Sequence, residues 1–161
     1  MSSFREMLLA LLVSLSPCLL VSLLAKHPVP KDNHDRTIVV YLHPDAVVVD
    51  YRVELDDYRM YRDLEGVDLK RAPGENIHDA YLRHFAPAIM GNLVVELDGS
   101  ELDFECVSKS FRVLDHVRCD YRFVARRKLA SGSSRAFSFR DVNFHGDSTS
   151  QVHLTLDASP E

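Results

Sequence analysis

The chain has 161 residues, 46% of them hydrophobic and 27% charged, with no Trp and a formal net charge of −5. This is room for one domain, too mixed in hydropathy for a polytopic membrane protein and too apolar for a disordered chain. The acidic balance gives no electrostatic reason to bind nucleic acid.

Residues 1–6 are polar with one basic side chain, Arg5, and residues 7–25 are almost wholly apolar, interrupted only by Ser14, Ser16, Pro17 and Ser22. A basic start, an apolar stretch and a small residue, Ala25, before Lys26 read as a hydrophobic signal helix cleaved after Ala25. The competing reading is an uncleaved anchor through residues 7–25, because that stretch approaches the ~20 residues needed to cross a bilayer. Either reading places the chain outside the cytoplasm, in the periplasm or cell envelope. Cys18 does not mark a lipoprotein, since Pro17 before it is a poor fit to a small-residue lipobox. Residues 26–36 follow as a polar, His-containing leader, and residues 37–158 as the folded domain.

From Thr37 onward the apolar period is mostly two. Ile38, Val40 and Leu42 form one strand; after His43, Pro44 and Asp45, the residues Val47, Val49, Tyr51, Val53 and Leu55 form a second, antiparallel one. Residues 58–71 scatter Tyr, Met and Leu among charges and read as a loop or irregular edge strand. Between Gly74 and Gly91, Asn76 can cap a helix whose Ile77, Ala80, Tyr81, His84 and Phe85 share a face. That helix is expected to stop near Pro87, and His84 to be a satisfied core residue. Leu93, Val95 and Leu97 run to Asp98 and Gly99, a strong hairpin signal, and Leu102, Phe104 and Cys106 resume the alternation. Residues 117–125 supply a fifth strand, Phe137 and Phe139 a sixth, and Val152, Leu154 and Leu156 a seventh. The expected fold is all-β, an immunoglobulin-like β-sandwich of about seven strands with one inserted amphipathic helix.

In an oxidising compartment Cys106 and Cys119, both in phase with apolar neighbours, are a candidate disulfide; the alternative is two buried, inert thiols. Cys106, His116 and Cys119 would give zinc three ligands and lack a fourth. The sequence has no phosphate-cradling Gly-rich loop, no His-Glu-x-x-His and no Gly-x-Ser-x-Gly, and its carboxylates, Asp56, Asp57 and Asp141 included, read as solvated surface. No enzyme is expected. Histidine is the unusual element: there are eight, and His27 and His34 lie near the expected new amino terminus. Neutral imidazoles favour nickel, copper, cobalt or zinc, which makes His27 and His34 candidate ligands for a transition metal, against the plainer account of surface histidines.

Several short motifs carry a resemblance: His27 with Pro28; Asn33, His34, Asp35 and Arg36; the run from Val49 to Asp56; Arg62, Asp63 and Leu64; and Phe139, Arg140, Asp141, Val142, Asn143 and Phe144. Together they resemble the extracytoplasmic amino-terminal domain of bacterial nickel/cobalt exporter-type membrane proteins and their urease-accessory-like relatives. In that family a signal sequence precedes a β-rich domain, and a polytopic helical region carries transport. The chain runs to Glu161 with no membrane region after Leu156, so the resemblance implies a detached, truncated or stand-alone version of the soluble domain, or the remnant of a split gene, with no permeation path of its own. Its expected role is accessory or metal-sensing in transition-metal transport, with a separately encoded polytopic membrane transporter as partner. The alternative is an interaction module without a metal role, docking through exposed Val39, Tyr41 and Val48.

Overall fold

The computed structural model describes residues 32–127, 134–144, 146 and 150–156. The apolar segment expected to be a signal or anchor, and with it Cys18 and His27, lies outside the described residues. The unit that begins at residue 31 is β-rich, with two sheets and two helices.

Strand β1 (Asp35–Leu42) and strand β2 (Ala46–Leu55) form the expected hairpin, Ile38 opposite Tyr51 and Val40 opposite Val49. The helix α1 (Asp57–Asp63) and the helix α2 (Ile77–Gly91) follow. Then come β3 (Leu93–Leu97), β4 (Ser100–Glu101), β5 (Glu105–Val113), β6 (Val117–Arg126), β7 (Phe137–Asp141) and β8 (Ser150–Leu156). One sheet runs β5-β6-β2-β1-β8, with β8 parallel to β1 and the other pairs antiparallel; the second runs β4-β3-β7. The inward phase of β1, β2 and β6 meets Leu93, Val95 and Leu97 of β3, Tyr81, Leu82 and Ile89 of α2, and Met60 of α1 in one apolar cluster. Burial of these large side chains, at about 1.5–3 kcal/mol each, is the main force holding the two sheets and the helices together.

Three expectations are corrected. Residues 57–63 are a helix, not a loop or edge strand: Met60 is the one buried side chain in its roughly two turns, so no apolar stripe announces it. A second correction concerns α2, which continues through Pro87 to Gly91. Proline withholds a hydrogen bond from the Arg83 carbonyl, but burial of Ala86 and Ile89 around it keeps the last turn in place. The apolar face is therefore Ala80, Tyr81, Leu82, Ala86 and Ile89, and His84 is exposed rather than a core residue. Third, the hairpin after Asp98 and Gly99 is short. Both residues have positive φ, 53° and 72°, which matches the twist of a tight two-residue turn. Only Ser100–Glu101 returns along β3; Leu102 donates to the Val95 carbonyl at 2.8 Å, and the chain crosses to the other sheet as β5. The expected seventh strand is present as β8, at a sheet edge with Val152 and Leu154 exposed.

The outer face of the large sheet carries a charge ladder. Asp50, Arg52 and Glu54 of β2 stand directly opposite Arg122, Asp120 and Arg118 of β6. Each pair is bonded: Arg122 to Asp50 at 2.6 and 2.7 Å, Arg52 to Asp120 at 2.7 Å, Arg118 to Glu54 at 2.9 Å. Cross-strand opposite charges fix register more than they stabilise, because water screens them. Asp50→Ala is accordingly expected to lower stability by no more than ~1 kcal/mol in chemical denaturation, with the loss shrinking as salt is raised. Beside the ladder lies an open groove of about 340 Å³ bordered by Val39, Tyr41, Ser108 and Ser110.

Candidate functional site

The densest polar chemistry lies inside the fold, where the strand phase of β1 continues backwards from Val40 and Ile38 to Arg36 and then His34. His34 is 1% exposed, and its Nε2 is 2.7 Å from Asp63 Oδ2 at the end of α1. The same oxygen accepts from the Tyr81 hydroxyl of α2 at 2.9 Å, and Asp63 Oδ1 accepts from Arg59 Nε at 3.0 Å. Burial alone would raise the Asp63 carboxyl, but the hydrogen bond and attraction from His34, the Tyr81 hydroxyl and the Arg59 charge outweigh it and hold the pKa below the usual 3.8. Burial, aided by the Asp63 charge, pushes the Tyr81 phenol well above its ordinary range, so its proton stays on and donates.

A second knot adjoins the first. Arg36 of β1 donates through Nη1 to Asp141 Oδ2 of β7 and, at 2.7 Å, to the Asn143 carbonyl. The Tyr51 hydroxyl of β2 donates to the same Asp141 oxygen at 3.1 Å. Asn143 gives its backbone N–H and its side-chain amide to Asp141 Oδ1, at 3.0 and 2.7 Å, and the amide also reaches the Ile89 carbonyl of α2 at 3.1 Å. Burial first, and the Asp141 charge second, drive the Tyr51 phenol upward. Phe144 joins the two knots. Its ring stacks on His34 with centroids 4.0 Å apart, and its backbone has φ 48°, a conformation costing a bulky residue roughly 1–2 kcal/mol.

The candidates read from sequence fall as follows. His27 lies outside the described residues. His34 is interior rather than on a solvated leader, engaged by a carboxylate and an aromatic ring, and β1 itself begins at Asp35 within that leader segment. Among the described residues no group of three or more His, Cys, Asp or Glu side chains converges on a point that could hold a metal ion.

Cys106 and Cys119 are both free thiols. They occupy adjacent strands, but Cys106 stands opposite Phe123 and Cys119 opposite Phe111. Four rungs at ~3.3 Å put them about 13 Å apart, beyond the ~7 Å a disulfide spans. Burial, with the Asp120 charge adding to it, pushes the Cys119 thiol up to about 12, which leaves it unreactive. His116 bonds Asp56 at 2.6 Å through Nδ1. Val39, Tyr41 and Val48 are half-buried rather than exposed, and Val39 and Tyr41 border the groove on the outer face.

Asp141 is the residue sequence reasoning missed. It was expected on the solvated surface and is instead the hub of a buried cluster. The available signal was phase: Phe137, Phe139, Asp141 and Asn143 are two apart, as are Ile38, Arg36 and His34. Tyr121 gives a contrasting case, a buried hydroxyl with no partner among the described residues. Tyr121→Phe should therefore leave stability unchanged or raise it by about 1 kcal/mol, read as the denaturation midpoint, because it removes an unsatisfied polar atom. No protein-family model, no curated protein and no solved structure matches this chain.

Proposed function

We propose that the chain is an exported, non-enzymatic accessory domain of the nickel/cobalt exporter type, acting by contact with a separately encoded polytopic membrane transporter. The observation that supports this reading is convergence. Three of the segments that carry the resemblance, residues 33–36, 62–64 and 139–144, are far apart in sequence and meet in one buried cluster through His34, Arg36, Asp63, Asp141, Asn143 and Phe144. Short motifs that meet in one cluster are what a shared scaffold would require. An immunoglobulin-like sandwich belongs to the same proposal; what supports it is the single apolar cluster to which both sheets contribute. The work of such a domain would fall to its surface, since the cluster is closed to solvent.

A second reading, metal sensing through His27 and His34 with nickel, cobalt or copper, draws on the His34–Asp63 pair, an imidazole already oriented by a carboxylate. A metal would have to displace Asp63 or Phe144 to reach it. Deleting the gene from its host is expected to change nickel or cobalt tolerance; unchanged tolerance to both metals overturns the transport role. Calorimetric titration of the full chain with nickel, cobalt, copper and zinc then separates the readings. Saturable binding abolished in the His27→Ala/His34→Ala variant, with its circular dichroism intact, establishes metal sensing. No saturable heat with any of the four leaves contact as the mode of action.

A further inference from the structure

The sheet topology places several exposed apolar side chains at one end of the domain. Asp35 pairs with Glu54, Leu55 with Val117, and Val113 with Val117, so the start of β1, the end of β2 and the β5–β6 turn share an end. The helix α1 is fastened to that same end: Asp56, its N-cap, bonds His116 in the turn, and Arg59 and Arg62 reach back to Asp32 ahead of β1.

Seven large hydrophobic side chains are exposed among the described residues, and four of them are here: Leu114 at 70%, Tyr58 at 69%, Tyr61 at 56% and Val113 at 51%. None of the seven lies in the β1–β2 turn at the opposite end; Val107, Val152 and Leu154 lie along strands. Turn tips are ordinarily Gly, Asn, Asp or Ser, so Val113 and Leu114 carried into solvent on a hairpin tip are unfavourable unless something covers them. The Arg62 guanidinium lies 6.0 Å from the Tyr58 ring centroid, giving this end an amphipathic aromatic–arginine pair. Tyr and Arg beside aliphatic tips are the composition that settles at the headgroup level of a bilayer. The carboxylates Asp32, Asp56 and Asp57 are engaged by Arg62, His116 and His78, while Asp115, beside Leu114 in the turn, is exposed and is the charge that the polar headgroups would have to accommodate.

The occupant follows from where the chain enters. The described domain begins at Asp32, at this same end, and the apolar stretch of the sequence finishes at Ala25. Seven peptide steps reach at most about 25 Å. We propose that this end, through Leu114, Val113, Tyr58 and Tyr61, seats on the lipid surface of the membrane. The proposal rests on the reading of residues 7–25 as a membrane anchor.

The absence of native Trp makes a single introduced one an unambiguous reporter. The full chain, as Leu114→Trp, Tyr58→Trp and, at the opposite end, Asp45→Trp, is reconstituted into phosphatidylethanolamine–phosphatidylglycerol vesicles with brominated acyl chains. The L114W and Y58W emissions should shift to the blue and be quenched, while D45W is unaffected. Chains that float with the vesicles but show equal, unquenched emission from all three overturn the seating and leave the anchor reading standing. Chains that fail to float overturn both. Circular dichroism of each variant, expected to match the parent at these exposed positions, verifies that the fold is retained.

Discussion

Asp141→Ala should cost the fold about 4 kcal/mol, the largest loss expected from any single polar substitution among the described residues. Asp141 accepts from Arg36, from the Tyr51 hydroxyl and from both nitrogens of Asn143, tying β1, β2 and the segment after β7 into one knot. Arg36 and Asp141 are each at least nine-tenths buried. Truncation removes the carboxylate from a guanidinium that water cannot reach to compensate, and strips the acceptor from a buried phenol at the same time. The measurement is urea denaturation at neutral pH. A double variant, Arg36→Met/Asp141→Leu, should recover most of the loss, because it removes the charge together with its partner. A fall of under ~1 kcal/mol for Asp141→Ala, the size expected for the exposed Asp50, would mean that the cluster is solvated and not a structural hub.

The same contrast explains how much of the molecule was legible. Period-two apolar patterning locates β1, β2, β3, β6 and β7, because in each one face is clearly more buried than the other. It also locates β8 at a sheet edge, where Val152 and Leu154 are exposed, and it is silent on most of β5, an edge strand in which both phases are largely exposed. Pairing across the Asp98–Gly99 turn was over-extended for a related reason. Leu102 and Phe104 keep the apolar phase of a strand, yet they serve as the crossover between sheets. Helix α1 was invisible because a helix with one buried side chain has no stripe to read.

The interior polar cluster was half legible. Its segments stand out by resemblance, but the carboxylates, Asp141 included, read as solvated surface and His34 as part of a polar leader. Carrying the phase of Ile38 back to His34, and that of Phe139 forward to Asn143, assigns the same residues to the core. What sequence could not supply was the pairing, since His34 and Asp63 are 29 residues apart and Arg36 and Asp141 are 105 apart. Those partners are fixed only once α1 and β7 have docked.

Asp63→Asn should lower stability by about 2–3 kcal/mol at neutral pH and flatten the acid limb of the stability curve. The folded-state pKa of Asp63 lies below its unfolded value near 3.8, because His34, Tyr81 and Arg59 together favour the carboxylate over what burial alone would set. The stabilisation is therefore fully present above that unfolded value and is lost as the pH falls through the lower, folded one. Wild type should lose stability steeply below about pH 4 while Asp63→Asn changes less, so the gap between them narrows as acid is added. Tyr81→Phe, which removes one donor and keeps the carboxylate with His34 and Arg59, should cost only about 1 kcal/mol. Thermal unfolding from pH 2 to pH 7 tests both. A constant gap across that range would show that the Asp63 charge contributes nothing and that the cluster is held by shape alone.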